Sequence, residues 1–125
     1  MRVLVVDDSK FSRELIISYF HKIGIQEIDE AADGLEAISK IKMLPPEACY
    51  DVITLDVVMP RKTGIQALKD IKNLAPESKI IVCSSLHDLH TVNLTMGFGV
   101  DGYVVKPFTR EKLLSALWNT LKFEG

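Results

Sequence analysis

Six polar residues stand directly after runs of apolar ones. Asp7 and Asp8 follow Val3 to Val6, Asp56 follows Val52 to Leu55, Ser84 and Ser85 follow Ile80 to Cys83, and Lys106 follows Tyr103 to Val105. Adjacent aspartates raise each other's cost of ionisation, so such a pair needs a cation, a proton or strong donors beside it. Together with a third carboxylate, a hydroxyl pair and one ammonium, they form a small set of hard oxygen donors. That set suits a six-coordinate Mg2+ that keeps several waters and completes its shell with phosphate oxygens. Each residue alone has a plain structural role open to it: a strand-end aspartate is commonly a solvated loop residue, Ser84 a helix cap and Lys106 a surface lysine. The chemistry depends on their being brought to one place.

The elements that would do so are legible as alternating patterns. Strands are predicted over Arg2 to Val6, Glu27 to Ala31, Asp51 to Leu55, Lys79 to Cys83 and Gly102 to Val105. Between them, helical faces are formed by Phe11, Leu15, Ile16 and Tyr19, by Leu35, Ile38 and Ile41, by Ile65, Leu68 and Ile71, and by Leu113, Leu114, Leu117 and Leu121. A fourth helical segment, DLHTVNLTMGFG, is predicted to be marginal, because Thr91, Val92, Asn93, Thr95 and Gly97 are all poor helix formers. Gly24 and the Pro45-Pro46 pair mark helix ends and a longer loop, and Pro60 with Gly64 marks a turn into the third helix. Strands one, three and four are apolar almost throughout, as strands covered on both faces are. The expectation is an α/β fold of (βα)5 type forming a single domain over residues 1–125. A sheet of this kind binds its ligand at the carboxyl ends of its strands, where all six polar residues fall.

Composition narrows the function classes. The 125 residues are 47% hydrophobic and 26% charged, an ordinary globular balance, and a net charge of -2 offers no basic footprint for nucleic acid. Cys49 and Cys83 lie far apart with no C-x-x-C pair, which argues against zinc or a disulfide scaffold and suits a reducing cytoplasm. No apolar stretch approaches the ~18 residues of a membrane span, and the N-terminus has no signal-peptide pattern. His87 and His90 lack a carboxylate framework for a second metal, and His21 is expected on a helix surface. Cys83 is expected in the core, Trp118 as a half-buried anchor, and Lys10 near enough to the acid pair to soften its field.

The stretches VLVVDDSK, DVITLDVVMPRKTG, IIVCSS and GYVVKPF, in this order, resemble the receiver domain of two-component response regulators, the chemotaxis CheY-like group in particular. The resemblance spans the chain. It implies a flavodoxin-like, doubly wound, five-stranded parallel sheet with strand order 2-1-3-4-5. It implies that Asp56 is the phosphoacceptor, a carboxylate nucleophile that becomes an acyl phosphate. Asp8 would be a direct Mg2+ ligand, Asp7 would act largely through metal-bound water, and the Val58 carbonyl would be a backbone ligand. Lys106 would pair with Asp56 and then with the phosphoryl oxygens, with a cis Lys106-Pro107 peptide aiming it. Ser84 would be the switch hydroxyl and Tyr103 the aromatic that follows it inward. Val58 and Leu86 would flank the line of water attack. Being apolar, they cannot orient a water, so hydrolysis should be slow. Two residues depart from many relatives: Thr63, where Asp or Asn is common before Gly64, and Ser85, which is similar to receivers joined to chemotaxis methylesterases.

The resulting expectation is a stand-alone, monomeric, cytoplasmic receiver. It would take phosphate on Asp56 from a histidine kinase or histidine phosphotransfer protein and switch a surface on its fourth helix, fifth strand and fifth helix. The target would be a flagellar motor component or relay protein; neither nucleic acid nor membrane insertion is expected. It would be no enzyme beyond its own phosphorylation and dephosphorylation. One alternative is the receiver portion of a longer regulator such as a chemotaxis methylesterase. Another is an aspartyl-phosphate phosphatase of the haloacid dehalogenase type. That class needs D-x-D with the nucleophile first, whereas here adjacent aspartates are followed by Ser9. A flavin-binding module would need a Ser/Thr/Gly-rich loop after strand one, which DDSK is not.

Overall fold

The computed structural model describes residues 1–57, 64–85 and 89–122. Strands and helices alternate as β1 (Arg2–Val6), α1 (Lys10–Lys22), β2 (Glu27–Ala31), α2 (Gly34–Lys42), β3 (Val52–Leu55), α3 (Gly64–Leu74), β4 (Lys79–Ser84), α4 (Leu89–Gly97), β5 (Gly102–Val105) and α5 (Arg110–Lys122). The strands are all parallel, in the order β2-β1-β3-β4-β5. Among the described residues no helix is long and apolar enough to cross a membrane.

The pleat divides the strand residues between two cores. Leu4, Val6, Ile53, Leu55, Ile80 and Val82 pack on one face with Ala37 of α2 and Leu68 and Ile71 of α3. Val3, Val5, Val52, Ile81 and Cys83 pack on the other with Ile16 and Phe20 of α1 and Leu113 and Leu117 of α5. This two-sided burial is what the nearly continuous apolar runs require. Helix starts are fixed locally: Ser9 caps α1 by accepting from the Ser12 amide at 3.2 Å, and Asp33 caps α2 by accepting from the Glu36 amide at 2.8 Å. After α1 the chain turns at Gly24, where φ is +91°.

Several local expectations need correction. β3 begins at Val52 and not at Asp51, whose carboxylate accepts from the Arg2 amide at 2.7 Å. β4 runs one residue further and takes in Ser84. Phe11, Leu35 and Trp118, placed on buried faces by periodicity or as an anchor, are 75%, 53% and 66% exposed. Phe11 and Leu35 lie in the first turns of their helices, beyond the strand ends, where no sheet lies beneath them. On α5, Leu113 and Leu117 take the buried stripe and leave Trp118 outside it.

Candidate functional site

The alternation that fills the second core also builds the site. Continuing the row Val3, Val5 past the end of β1 gives Asp7, the row Val52, Thr54 past β3 gives Asp56, and Val104 past β5 gives Lys106. Each is still tied to the sheet by its amide: Asp7 donates to the Ala31 carbonyl at 3.0 Å, Asp56 to Val6 at 3.0 Å and Lys106 to Ser84 at 2.8 Å. Three charged side chains from three strands are thus held by backbone ladders.

They meet at the Lys106 ammonium, which donates to Asp7 Oδ2, to Asp56 Oδ2 at 3.0 Å and to Ser12 Oγ at 3.4 Å. Asp7 Oδ1 accepts from the Ser9 amide at 2.9 Å. Asp7 and Asp56 are buried and Asp8 is exposed, and one ligand oxygen from each of the three lies within 4.8 Å of the others. Burial pushes the Asp7 carboxyl above the usual carboxylate range; the Lys106 and Ser9 hydrogen bonds oppose the shift and the neighbouring Asp56 charge adds to it. Burial pulls the Lys106 ammonium down, but its hydrogen bonds to Asp7 and Asp56 and their charges outweigh this and hold it above an ordinary lysine. Among the described residues, Lys106 is the one cation whose side chain hydrogen-bonds these carboxylates, and it reaches Asp7 and Asp56 but not Asp8. The cluster opens to solvent at Asp8, the side from which a hydrated ion can enter, and its all-oxygen donors fit a hard divalent cation.

Ser84 is fully buried at the end of β4. Val82 pairs with Tyr103 and Ser84 with Val105, so Ser84 and Tyr103 project on one face of the sheet, the face of the first core, against which Tyr103 packs. The Lys106-Pro107 peptide is cis. Val58, Pro60, Thr63, Leu86 and His87 lie outside the described residues. Lys10, expected to soften the acid pair's field, instead pairs with Glu14 at 3.9 Å on the helix surface. His21 is exposed, and its Nδ1 lies 3.0 Å from the Ile25 carbonyl.

Two residues of α1 at the site were not singled out by the sequence. Ser12 offers the ammonium a third acceptor, and Arg13 donates from Nη1 to the Asp7 carbonyl at 2.7 Å and from Nε to Glu30 Oε1 at 2.8 Å. The available signal was the cap: with Ser9 starting the helix, Ser12 and Arg13 fall at the end of its first turn, beside the acid pair.

The pattern that defines the response regulator receiver domain matches residues 3–118. The chemotaxis protein CheY of Thermotoga maritima is 38% identical over 116 residues, 93% of each chain, and that of Bacillus subtilis is 36% identical over 120 residues, 96% of this chain and 97% of the other. In the crystal structure of the CheX-CheY-BeF3-Mg2+ complex from Borrelia burgdorferi, one chain superposes with a TM-score of 0.90 at 34% identity, covering 97% of this chain and 89% of that one.

Proposed function

The chain belongs to the response regulator receiver domain family, and on that premise we propose that Asp56 is its phosphoacceptor, served by Lys106, Ser84 and a Mg2+ ion. The observation that carries this assignment is the Lys106 ammonium bridging buried Asp7 and Asp56, with the oxygens of three aspartates within 4.8 Å. An Asp56 carboxylate oxygen attacks phosphorus in a phosphohistidine or acyl phosphate. The bond to the donor breaks, and its electron pair leaves on the ring nitrogen or carboxylate oxygen. Lys106 moves from the Asp56 carboxylate to the phosphoryl oxygens as charge gathers there. Asp7, Asp8, Asp56 and the Val58 carbonyl would hold Mg2+, which when bound neutralises the phosphoryl oxygens.

The buried Ser84 hydroxyl then donates to the phosphoryl group, and Tyr103 turns inward on the same face of the sheet. The readout is the α4-β5-α5 surface, where Leu94, Met96 and Val105 are exposed apolar side chains. Its occupant is a protein, a flagellar motor component or a relay protein. The related CheY bound to CheX in a BeF3- and Mg2+-containing complex supports that reading. The donor is a histidine kinase or histidine phosphotransfer protein, and the receiver works alone, as a cytoplasmic monomer of one domain. Acetyl phosphate with Mg2+ should add one phosphoryl group to the wild type by intact mass and none to Asp56→Asn. An undiminished adduct in that variant would overturn the assignment.

A further inference from the structure

We propose that Arg13 is a positioning residue that fixes the peptide between Asp7 and Asp8 and so aims the Asp8 carboxylate into the cation cluster; the inference rests on the receiver reading above. The guanidinium is a planar fork whose donors point in fixed directions. One arm holds the Asp7 carbonyl at 2.7 Å and Nε holds Glu30 of β2 at 2.8 Å, with the Arg13 side chain only 14% exposed. The other atoms of Asp7 are held elsewhere: its amide by Ala31, its carboxylate by Ser9 and Lys106. Its carbonyl belongs to the peptide plane from which Asp8 departs, so turning that plane swings the Asp8 side chain. Asp8 is exposed and its carboxylate takes no hydrogen bond or ion pair among the described residues. Among the described residues no side-chain partner sets its direction, and the backbone is left to do so. Glu30 anchors the fork to β2 and leaves it little freedom to follow a shifting loop.

The sign of one measurement separates geometry from charge. Arg13 is a cation close to a cation site, so if its charge were what mattered, removing it would tighten Mg2+ binding. Positioning requires the opposite. By calorimetric titration of the full chain with Mg2+ and no phosphodonor, Arg13→Ala should raise the Kd about tenfold, as loss of an outer support of a metal ligand typically does. Arg13→Lys keeps the charge but can hold only one of the two acceptors, so it should weaken binding in the same direction by a smaller factor. It also carries the test if the alanine variant does not fold. Melting curves taken alongside separate lost stability from lost affinity. A Kd that is unchanged or lowered in folded variants overturns the inference and leaves the receiver reading intact, whereas a wild-type chain that takes no Mg2+ overturns both.

Discussion

Replacing Lys106 by methionine keeps the length of the stem, removes its charge, and leaves Asp7 and Asp56, 1% and 6% exposed, facing each other without an ammonium. Removing one partner of a buried ion pair costs about 3–5 kcal/mol, and because the Lys106 side chain is 18% exposed, water entering from the Asp8 side offsets part of that, leaving about 2–3 kcal/mol. For a domain of this size the loss corresponds to a melting temperature lower by about 8–12 °C. Two dependences identify the cause. Mg2+ can supply the missing charge, so most of the deficit measured in EDTA should close when the ion is added. Protons can also relieve it. Burial already holds Asp7 above its ordinary 3.8, and losing the Lys106 hydrogen bond and charge lifts it further, so the variant takes up a proton as pH falls from neutral towards that raised value. The gap to wild type therefore narrows on acidification. In the wild type the Lys106 contribution is complete below its ordinary 10.5 and is lost as pH rises through its raised folded value. Urea unfolding followed by far-ultraviolet circular dichroism, with and without Mg2+, measures all of this. A deficit below about 1 kcal/mol, or one indifferent to both Mg2+ and acid, would refute the argument.

Because Val58 and Leu86 cannot orient a water, the phosphorylated chain should be long-lived, and Val58→Asn combined with Leu86→Glu should speed phosphate loss by about tenfold or more; equal decay rates would show that water access is controlled elsewhere. Hydrogen exchange in α4 should be faster than in α1 and should slow on beryllofluoride addition, because Thr91, Asn93, Thr95 and Gly97 weaken that helix; equal protection of the two helices would exclude a marginal α4. Iodoacetamide should modify exposed Cys49 and spare buried Cys83, whose thiol burial pushes up to about 12. That thiol's contribution to stability is intact below its ordinary 9.0 and lost as pH rises through about 12, and alkylation of both thiols in the folded chain would contradict the packing.

What the sequence made legible is what travels along a strand. Asp7, Asp56 and Lys106 were identifiable because each extends an apolar run by one position, and a parallel sheet gathers such positions at one edge. Ser12 and Arg13 were not, because they reach the site from a helix. Their partners lie far off in the chain: Lys106 is 94 residues from Ser12, and Glu30 is 17 from Arg13. Periodicity also tells which side of a helix is apolar without telling where the sheet beneath it stops, which is why Phe11 and Leu35 were placed inside and stand outside. Ser84 shows the same limit at a strand end: a hydroxyl after the apolar run Ile80 to Cys83 reads as loop, yet the β5 ladder continues to it.

β2 forms one margin of the sheet, and its five residues, EIDEA, carry three carboxylates, with Glu27 and Glu30 exposed. Its outward edge has main-chain groups that could template another strand, and charged side chains are what discourage such growth. A second copy offering the same margin would set acid against acid. Arg2 and Arg13 temper two of these charges, at 3.2 and 2.8 Å, without covering the edge. The polar strand that looks least like part of the fold thus acts as a fence, keeping a sheet built of valine and isoleucine from extending into a fibre when many copies crowd together.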